Sequence, residues 1–325
     1  MELVTKKRLQ IFTGRTHPEL AHDIAAHLGV QVGDANLRTF PNGEIKCQFS
    51  ESVRGADVFI IQTHYGDLND SIMEQLLMID TAKRGSAKRI TAVCPYFGYS
   101  RQDRKAEGRE PIAAKLLANL ITVAGASRMM SVDLHSGQIQ GFFDKPVDHL
   151  VAQPLLLEYL RRETPNPEDL VIVSPDAGRV KVAERFAQHL GADLAFVHKT
   201  RPKGTVSQVE ATGIIGEVDG RHCVVIDDMI DTAGTMCAAA DVLKAKGATE
   251  VWAMATHGLL SDPATDRLKN SEFERVVISD TVPLPSEKQL DKIEVLSTSK
   301  IIADAIDAVF EDTSVSEIFG GENQR

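Results

Sequence analysis

The segment from Val224 to Thr235 constrains the fold more than any other part of the sequence. It begins with a β-branched run, Val224–Ile226, followed by Asp227 and Asp228. A short apolar run bounded by charge predicts a parallel strand that is buried on both faces. Open α/β sheets bind ligands at the carboxyl ends of such strands. The two carboxylates are therefore suited to accept hydrogen bonds from vicinal hydroxyls or, through water, to hold a cation.

The next five residues predict an anion-binding loop at the start of a helix: Asp231, Thr232, Ala233, Gly234 and Thr235. Successive backbone N–H groups, two hydroxyls and a glycine that permits close approach suit a phosphate monoester. Met236, Ala240 and Leu243 follow at helical spacing, and Gly247 predicts the helix stop. We therefore expect a sugar phosphate as the ligand.

This string resembles the signature of proteins that make or use 5-phosphoribosyl 1-diphosphate. The resemblance implies a type I phosphoribosyltransferase-like fold whose loop holds the ribose 5-phosphate. It leaves two enzyme classes open, because some members consume the diphosphate as transferases and others make it as ribose-phosphate diphosphokinases. The choice between them depends on the rest of the chain.

Length and composition predict a soluble, cytoplasmic protein of two domains. The 325 residues suffice for two domains of about 150 residues each, which we place at 1–150 and 151–325. A net charge of −10 argues against nucleic acid as a partner, since nonspecific binding needs a basic surface. No apolar run approaches the roughly 20 residues of a membrane span, and we see no secretory signal pattern. The four cysteines lack CxxC spacing, which argues against a zinc site.

An internal repeat predicts that the two halves are related. Positions 21–29 and 183–191 share two alanines and a His-Leu-Gly sequence at an offset of 162 residues, and positions 85–90 match 247–252 in pattern at the same offset. Two matches at one offset indicate a duplication. Strands alternate with helices along both halves, which predicts an α/β fold of two duplicated domains, each a mostly parallel sheet flanked by helices.

The first half differs from the second at the ligand end of its sheet. After the apolar run Val58–Ile61 comes the segment from Gln62 to Tyr65 and not an acidic phosphate loop. We therefore expect only the second half to bind a sugar phosphate. The first half opens with a predicted strand, Leu9–Phe12, after which Thr16 and Glu19 predict a capping box.

Two motifs of the first half are suited to a nucleotide. Residues 40–44 (Phe-Pro-Asn-Gly-Glu) predict a turn, and residues 96–105 form an aromatic, glycine-containing loop that becomes basic at Arg101. Taken singly, the Asn-Gly pair is a common hairpin signal, and a charge run is usually a solvated face. Together they offer an amide and a carboxylate for a purine edge, rings for stacking and a guanidinium for phosphates.

Other strand ends also carry polar groups. Residues 196–204 predict a strand followed by a loop with Lys199 and Arg201, cations suited to neutralise a polyphosphate. Residues 174–178 form a loop with Asp176. By the two-residue period, Asp133 and His135 are predicted on one face of a strand.

All of these strings are similar to those of bacterial-type (class I) ribose-phosphate diphosphokinases, from about Arg8 to about Ala308. The resemblance implies ATP binding by Asn42, Gly43, Glu44, Arg101 and Gln102. It implies magnesium binding by His135 and Asp176, and a catalytic pair formed by Lys199 and Arg201. It implies ribose 5-phosphate binding by Arg201, Asp227, Asp228, Asp231, Thr232, Ala233, Gly234 and Thr235. Because Mg²⁺ prefers oxygen ligands, the role of His135 follows from the resemblance alone.

The resemblance implies transfer of the β,γ-diphosphoryl group of ATP to the 1-hydroxyl of ribose 5-phosphate, with Mg²⁺ as cofactor. No residue stands out as a general base. The alternatives are a phosphoribosyltransferase that uses the diphosphate, which leaves the first half without a task, and a catalytically silent regulatory paralogue.

The family also implies a homohexamer that responds to phosphate and ADP, and Ser50–Gly55 resembles a segment that contributes to the effector site. We expect the last helix to pack back on the N-terminal domain. One departure from the family is Arg179, which stands where members often carry a second glycine or a small residue after Asp-Ala-Gly.

Overall fold

The structure, a computed structural model, describes residues 7–200 and 210–321. The chain forms two compact units. Unit 1 contains Met1–Val151, Thr281–Pro283 and Ser297–Arg325, and unit 2 contains Ala152–Asp280 and Leu284–Leu296. Within the described ranges, no helix has both the length and the apolar character that crossing a bilayer requires.

Unit 1 is built on a parallel sheet. Its strands are β1 (Leu9–Thr13), β2 (Val32–Gly33), β3 (Arg38–Thr39), β4 (Ile45–Lys46), β5 (Asp57–Ile61), β6 (Arg89–Cys94), β7 (Arg128–Val132) and β8 (Val147–Leu150). Its first three helices are α1 (Pro18–His27), α2 (Leu68–Arg84) and α3 (Ala113–Ala124). The sheet order is β2-β1-β5-β6-β7-β8, and β3 and β4 form a separate antiparallel pair. Buried side chains such as Phe12, Ile60, Met78, Leu117 and Ile121 form its core.

Unit 2 repeats this plan. Its strands are β9 (Leu170–Ser174), β10 (Asp193–Thr200), β11 (Glu210–Ile215), β12 (His222–Ile230), β13 (Glu250–Gly258), β14 (Arg275–Ser279) and β15 (Ile293–Leu296). Its helices are α4 (Gln153–Glu163), α5 (Val180–Leu190), α6 (Gly234–Ala245) and α7 (Ala264–Lys269). The sheet order is β11-β10-β9-β12-β13-β14-β15, with only the β10–β11 pair antiparallel. Its core includes Val173, Val225, Met236, Ala253 and Val276.

The two sheets have the same strand order once β11 is set aside. The order reverses between β1 and β5 in unit 1 and between β9 and β12 in unit 2. Such reversal points open a crevice beyond the carboxyl ends of the strands. The predicted fold class, two related domains with mostly parallel sheets flanked by helices, is confirmed.

The last two helices, α8 (Ser299–Phe310) and α9 (Val315–Ile318), belong to unit 1. Helix α8 packs on α1, and the His27 imidazole lies 3.2 Å from Ser299 Oγ. Ile302, Ala305 and Ile306 of α8 are fully buried. Helix α1, near the beginning of unit 1, is therefore covered by α8, which comes from a much later part of the sequence.

The predicted capping box at Thr16 and Glu19 is wrong. Helix α1 begins at Pro18 with His17 at its N-cap position and no side-chain capping bond. The backbone N–H of Thr16 points instead to Gln62 Oε1 at 3.4 Å. A partner distant in sequence therefore replaces the local cap.

Candidate functional site

Strand β12 carries the acidic pair of unit 2. The strand predicted from the apolar run Val224–Ile226 is present and extends further, because β12 continues through Asp227 and Asp228 to Ile230. Pairing with β13 sustains it, with Asp227 opposite Ala255. The other neighbour, β9, ends at Ser174. The carboxylates therefore lie beyond the end of β9, beside the loop that follows it.

Arg179 binds both carboxylates. Its Nε lies 3.2 Å from Asp227 Oδ1 and its Nη2 lies 2.5 Å from Asp228 Oδ2. The side chains of Arg179, Asp227 and Asp228 are 19%, 18% and 8% exposed, so this ion-pair network is largely withdrawn from water. The backbone N–H of Asp228 also donates to Asp227 Oδ1 at 2.8 Å. The residue that departs from the family pattern thus compensates the charge of the acidic pair.

The proximity of the two acids affects their protonation. Burial, together with the neighbouring charge of Asp228, raises the pKa of Asp227 to about 8, and the charge of Arg179 opposes this rise. Two like charges in one weakly solvated site disfavour double ionisation. A ligand that donates hydroxyl hydrogen bonds, or a cation, would favour the fully ionised pair.

The predicted anion-binding loop follows β12 directly. Helix α6 begins at Gly234, and the residue before it, Ala233, has the left-handed conformation at φ 59°. The position that needs positive φ is therefore Ala233 and not the glycine. Thr232 and Thr235 are exposed. Backbone N–H groups and hydroxyls at the positive end of a 12-residue helix form an arrangement that binds anions.

Arg267 supports this loop, and sequence analysis missed it. Its Nη1 donates to the backbone oxygen of Thr232 at 2.8 Å. A Cβ added at Gly234 would lie 3.1 Å from the same nitrogen. Arg267 lies on α7, distant in sequence from the loop, so no local pattern could have identified it.

The loop after β9 is held by internal hydrogen bonds. Ser174 Oγ donates to the backbone oxygen of Asp176 at 2.6 Å, and the N–H of Gly178 donates to Asp176 Oδ1 at 2.8 Å. The Asp176 carboxylate is half-buried. It follows the strand next to β12, as the sequence predicted for a polar group at a strand end.

Only part of the predicted cationic loop is described, and the prediction that Lys199 lies in a loop after the strand is wrong, because β10 continues to Thr200. Lys199 lies near the end of β10, where its backbone pairs with Ala211 of β11 beyond an irregularity in the ladder. Arg201 lies outside the described residues. The roles of Lys199 and Arg201 stay predictions.

Unit 1 contains all five predicted ATP-binding residues. Asn42, Gly43 and Glu44 form the turn between β3 and β4, closed by a bond from the N–H of Phe40 to Glu44 O at 2.8 Å. Asn42 Oδ1 accepts from the N–H of Glu44 at 3.2 Å, and Gly43 has φ +90°. The three residues are exposed.

Arg101 and Gln102 lie in a turn after β6. The N–H of Gln102 donates to Tyr99 O at 2.9 Å, and Gln102 O accepts from the N–H of Ala114 at 3.2 Å, which ties the turn to α3. Both side chains are exposed. Tyr99 has the left-handed conformation, with φ 58°.

His135 is not on a strand. The prediction that Asp133 and His135 share one strand face is wrong, because β7 ends at Val132 and Asp133 has φ 38°. The chain turns there, and the N–H of Leu134 donates to His149 Nε2 at 3.0 Å. His135 is half-buried and belongs to unit 1, whereas Asp176 belongs to unit 2.

The described residues contain no group of three or more His, Cys, Asp or Glu side chains placed to hold a metal. Mg²⁺ does not need such a group, because it usually binds one or two carboxylates together with substrate phosphates and water. Asp176, Asp227 and Asp228 supply oxygen donors of that type.

The reversal point of unit 1 has different chemistry. If the first residues of β1 and β9 are aligned, the strand registers place Gln62 and Thr63 where unit 2 has Asp227 and Asp228. Gln62 is buried, and its Nε2 donates to Glu74 Oε1 at 2.9 Å. Neutral groups thus replace the acidic pair.

Helix α2 also begins differently from α6. Asp67 is at its N-cap position and Asp70 lies in its first turn. These carboxylates meet the positive helix end and repel an incoming phosphate. A cavity of about 430 Å³ borders them, and Arg15 in its wall is paired with Glu74 at 2.5 Å.

Comparisons with known proteins agree over nearly the whole chain. A family model described as the N-terminal domain of ribose phosphate pyrophosphokinase matches residues 9–125, and a phosphoribosyl synthetase-associated domain model matches residues 197–320. The ribose-phosphate pyrophosphokinase of Bifidobacterium longum is 54% identical over 315 residues, covering 96% of this chain and 93% of that protein. The enzyme of the same name from Streptomyces avermitilis is 54% identical, covering 97% of each chain.

A solved structure shows the same similarity in three dimensions. The crystal structure of phosphoribosylpyrophosphate synthetase from Mycobacterium smegmatis is 50% identical in sequence and matches with a TM-score of 0.89. The match covers 94% of this chain and 100% of that one.

Proposed function

The chain belongs to the ribose-phosphate pyrophosphokinase family, and on that premise we propose that its substrates are ATP and ribose 5-phosphate. It transfers the β,γ-diphosphoryl group of ATP to the 1-hydroxyl of ribose 5-phosphate, giving 5-phosphoribosyl 1-diphosphate for nucleotide biosynthesis and releasing AMP. The conclusion rests on 54% sequence identity to enzymes of that name over nearly the full length of the chain.

Unit 2 is the proposed ribose 5-phosphate side. The 5-phosphate is bound by the loop between β12 and α6, formed by Asp231, Thr232, Ala233, Gly234 and Thr235. Asp227 and Asp228 accept hydrogen bonds from the 2- and 3-hydroxyls. The helix position, the exposed threonines and the buried acidic pair support this assignment. Together these groups orient the nucleophile, which is the main requirement of phosphoryl transfer.

Unit 1 is the proposed ATP side. Asn42, Gly43 and Glu44 bind the purine, and Arg101 with Gln102 binds the phosphates. The exposure of both turns supports this role. Lys199 and Arg201 neutralise the migrating diphosphoryl group.

Mg²⁺ is the proposed cofactor, and the family resemblance assigns Asp176 and His135 as residues that bind it. When bound, it neutralises phosphate charge and orients the polyphosphate. Asp176 presents a half-buried carboxylate that is already oriented by the N–H of Gly178.

Release of AMP tests the proposal directly. The protein is incubated with ATP, Mg²⁺ and ribose 5-phosphate, and AMP and 5-phosphoribosyl 1-diphosphate are quantified by chromatography. We expect both products in equal amounts, and no AMP when ribose 5-phosphate is omitted. If no AMP forms but added 5-phosphoribosyl 1-diphosphate reacts with a nucleobase, the protein is a phosphoribosyltransferase. If neither reaction occurs, the chain is a silent paralogue.

Assembly and regulation are further parts of the proposal. We expect a cytoplasmic homohexamer that is regulated by phosphate and ADP through Ser50–Gly55. In that segment the Val53 side chain is buried and Arg54 is exposed, which leaves a guanidinium accessible to an anion. Light scattering measures the assembly, and titration of phosphate and ADP in the AMP assay measures the response.

A further inference from the structure

We infer that His64, with its neighbour Thr63, is a positioning residue that sets the backbone of the loop carrying Arg101 and Gln102. This inference rests on the proposed function, since that loop is the proposed ATP side. His64 follows strand β5, and its side chain is completely buried in unit 1. No motif of the sequence marks it.

Gln75 on α2 determines which nitrogen of His64 carries the proton. The Gln75 Nε2 donates to the backbone oxygens of Ile60 and Val93, each at 3.4 Å. Its Oε1 is therefore left to accept from His64 Nε2, at 2.9 Å. A neutral imidazole with a protonated Nε2 has an acceptor at Nδ1. Burial keeps the ring neutral by lowering the pKa of His64 to about 4.

The acceptor at Nδ1 holds the start of the nucleotide loop. It accepts the backbone N–H of Gly98 at 3.0 Å. The backbone N–H of His64 donates to Tyr96 O at 3.1 Å, and the N–H of Tyr96 donates to Thr63 Oγ1, also at 3.1 Å. Three hydrogen bonds from two consecutive residues thus clamp residues 96–98.

Gly98 lies close to His64, and the residues that follow Gly98 lead into the proposed ATP site. A Cβ at Gly98 would lie 3.0 Å from His64 Cβ, so a side chain at this position would be tightly packed against His64. Tyr99 comes next in the left-handed conformation and accepts the N–H of Gln102 at 2.9 Å. Arg101 lies inside that turn. The orientation of the Arg101 side chain therefore depends on the backbone position that His64 fixes at Gly98.

Substitutions that separate the two ring nitrogens test the inference. An asparagine places its side-chain oxygen near the position of Nδ1, so His64→Asn can still accept from Gly98. A glutamine reaches the position of Nε2, so His64→Gln leaves the Gly98 N–H unsatisfied. Cys94→Ala is the matched control, because Cys94 is fully buried and donates to the same Gln75 oxygen, at 3.4 Å, from strand β6.

Because the loop would lose the acceptor that fixes its backbone at Gly98, we expect His64→Gln to raise the KM for ATP about tenfold and to leave the KM for ribose 5-phosphate unchanged. His64→Asn and Cys94→Ala should keep the wild-type KM for ATP, even if thermal unfolding shows them to be less stable. A wild-type KM for ATP in His64→Gln, equal effects of Gln and Asn, or an equal rise in both KM values overturns the inference.

If His64→Gln does not fold, Thr63→Val removes the bonds of this hydroxyl to the N–H of Tyr96 and to the backbone oxygen of Thr281. It should raise the KM for ATP alone, and an unchanged value overturns the inference. Absence of AMP formation by the wild-type protein is a separate result. It contradicts the proposed function. ATP affinity measured by calorimetry would then decide whether His64 still positions the loop.

Discussion

Arg179 is the residue whose structural role was least visible in the sequence. The sequence shows only that Arg179 stands where family members often carry a small residue. The structure places its guanidinium against both Asp227 and Asp228. The guanidinium offers several donors in one plane, so it can bind two carboxylates at once. The proposed sugar site therefore contains its own countercharge.

Removing this countercharge should destabilise unit 2. At a pH above about 8, where both acids are ionised, we expect Arg179→Ala to lower the free energy of unfolding by about 3 kcal/mol, because two weakly exposed carboxylates lose their partner. Urea unfolding followed through Trp252, a single tryptophan buried in strand β13, measures the loss. Adding Asp228→Asn to the variant removes one of the stranded charges and should restore part of the stability. Identical stability of the single and double variants would contradict this account.

The raised pKa of Asp227 predicts a pH dependence of stability. Since folding raises this pKa from its ordinary value to about 8, the folded state binds the proton more tightly than the unfolded chain. The resulting stability is complete below about pH 4 and is lost as the pH rises through about 8. Asp227→Asn cannot ionise and should lose less stability than the wild type over that range. Parallel pH profiles of the two proteins in urea unfolding would show the prediction to be wrong.

At the scale of elements, the junction of β12 and α6 determines the proposed phosphate loop. Its turn depends on Ala233, a buried alanine at φ 59°. A β-branched side chain is strained in this region, whereas glycine adopts it freely. We expect Ala233→Val to destabilise unit 2 by about 2 kcal/mol and to raise the KM for ribose 5-phosphate.

Ala233→Gly is the matched control for that variant. It should change the unfolding free energy by less than about 1 kcal/mol and leave the KM for ribose 5-phosphate unchanged. If both variants raise this KM equally, the backbone conformation at position 233 is not what shapes the loop.

Local signals were sufficient to predict the main elements around the candidate site. The β-branched run gave β12, the helical spacing of Met236, Ala240 and Leu243 gave α6, and Gly247, with φ +91°, follows its end. The repeat at one offset predicted two related sheets. Each of these signals resides in neighbouring residues, where backbone preference and side-chain periodicity act directly.

The features that were missed depend on residues distant in sequence. Strand β12 continues beyond Asp227 and Asp228 because it pairs with β13. The predicted cap at Thr16 is replaced by a contact with Gln62. Arg267 supports the phosphate loop from α7, and His64 holds Gly98 across two strands. A single sequence contains no local pattern for such tertiary partners.

At the scale of the whole molecule, a duplicated fold carries two different chemistries. With the first residues of β1 and β9 aligned, the registers place Gln62 and Thr63 where unit 2 has its acidic pair. The acidic residues at the start of α2 replace the anion-binding end of α6. The same strand order therefore gives one reversal point suited to a phosphate and one that repels it. This difference supports separate tasks for the two units.

Helix α8 should stabilise unit 1 selectively. Ile306→Ala removes a fully buried side chain from α8 and should cost about 3 kcal/mol. Hydrogen exchange followed by mass spectrometry should show faster exchange in β1 and β5, with β9 and β12 unchanged. Lys300→Ala, on the same helix but with a side chain 71% exposed, is the control. Equal acceleration in both units would contradict the assignment of α8 to unit 1.

The position of α8 also determines when each half can be completed during synthesis. Unit 2 has its full sequence once Leu296 has left the ribosome, whereas unit 1, although translated first, still lacks its final helices. The half that begins the chain is thus the last to be completed, and until then the face of α1 that receives α8 is uncovered. A premature stop codon after Leu296 would consequently damage the half of the protein that was made first.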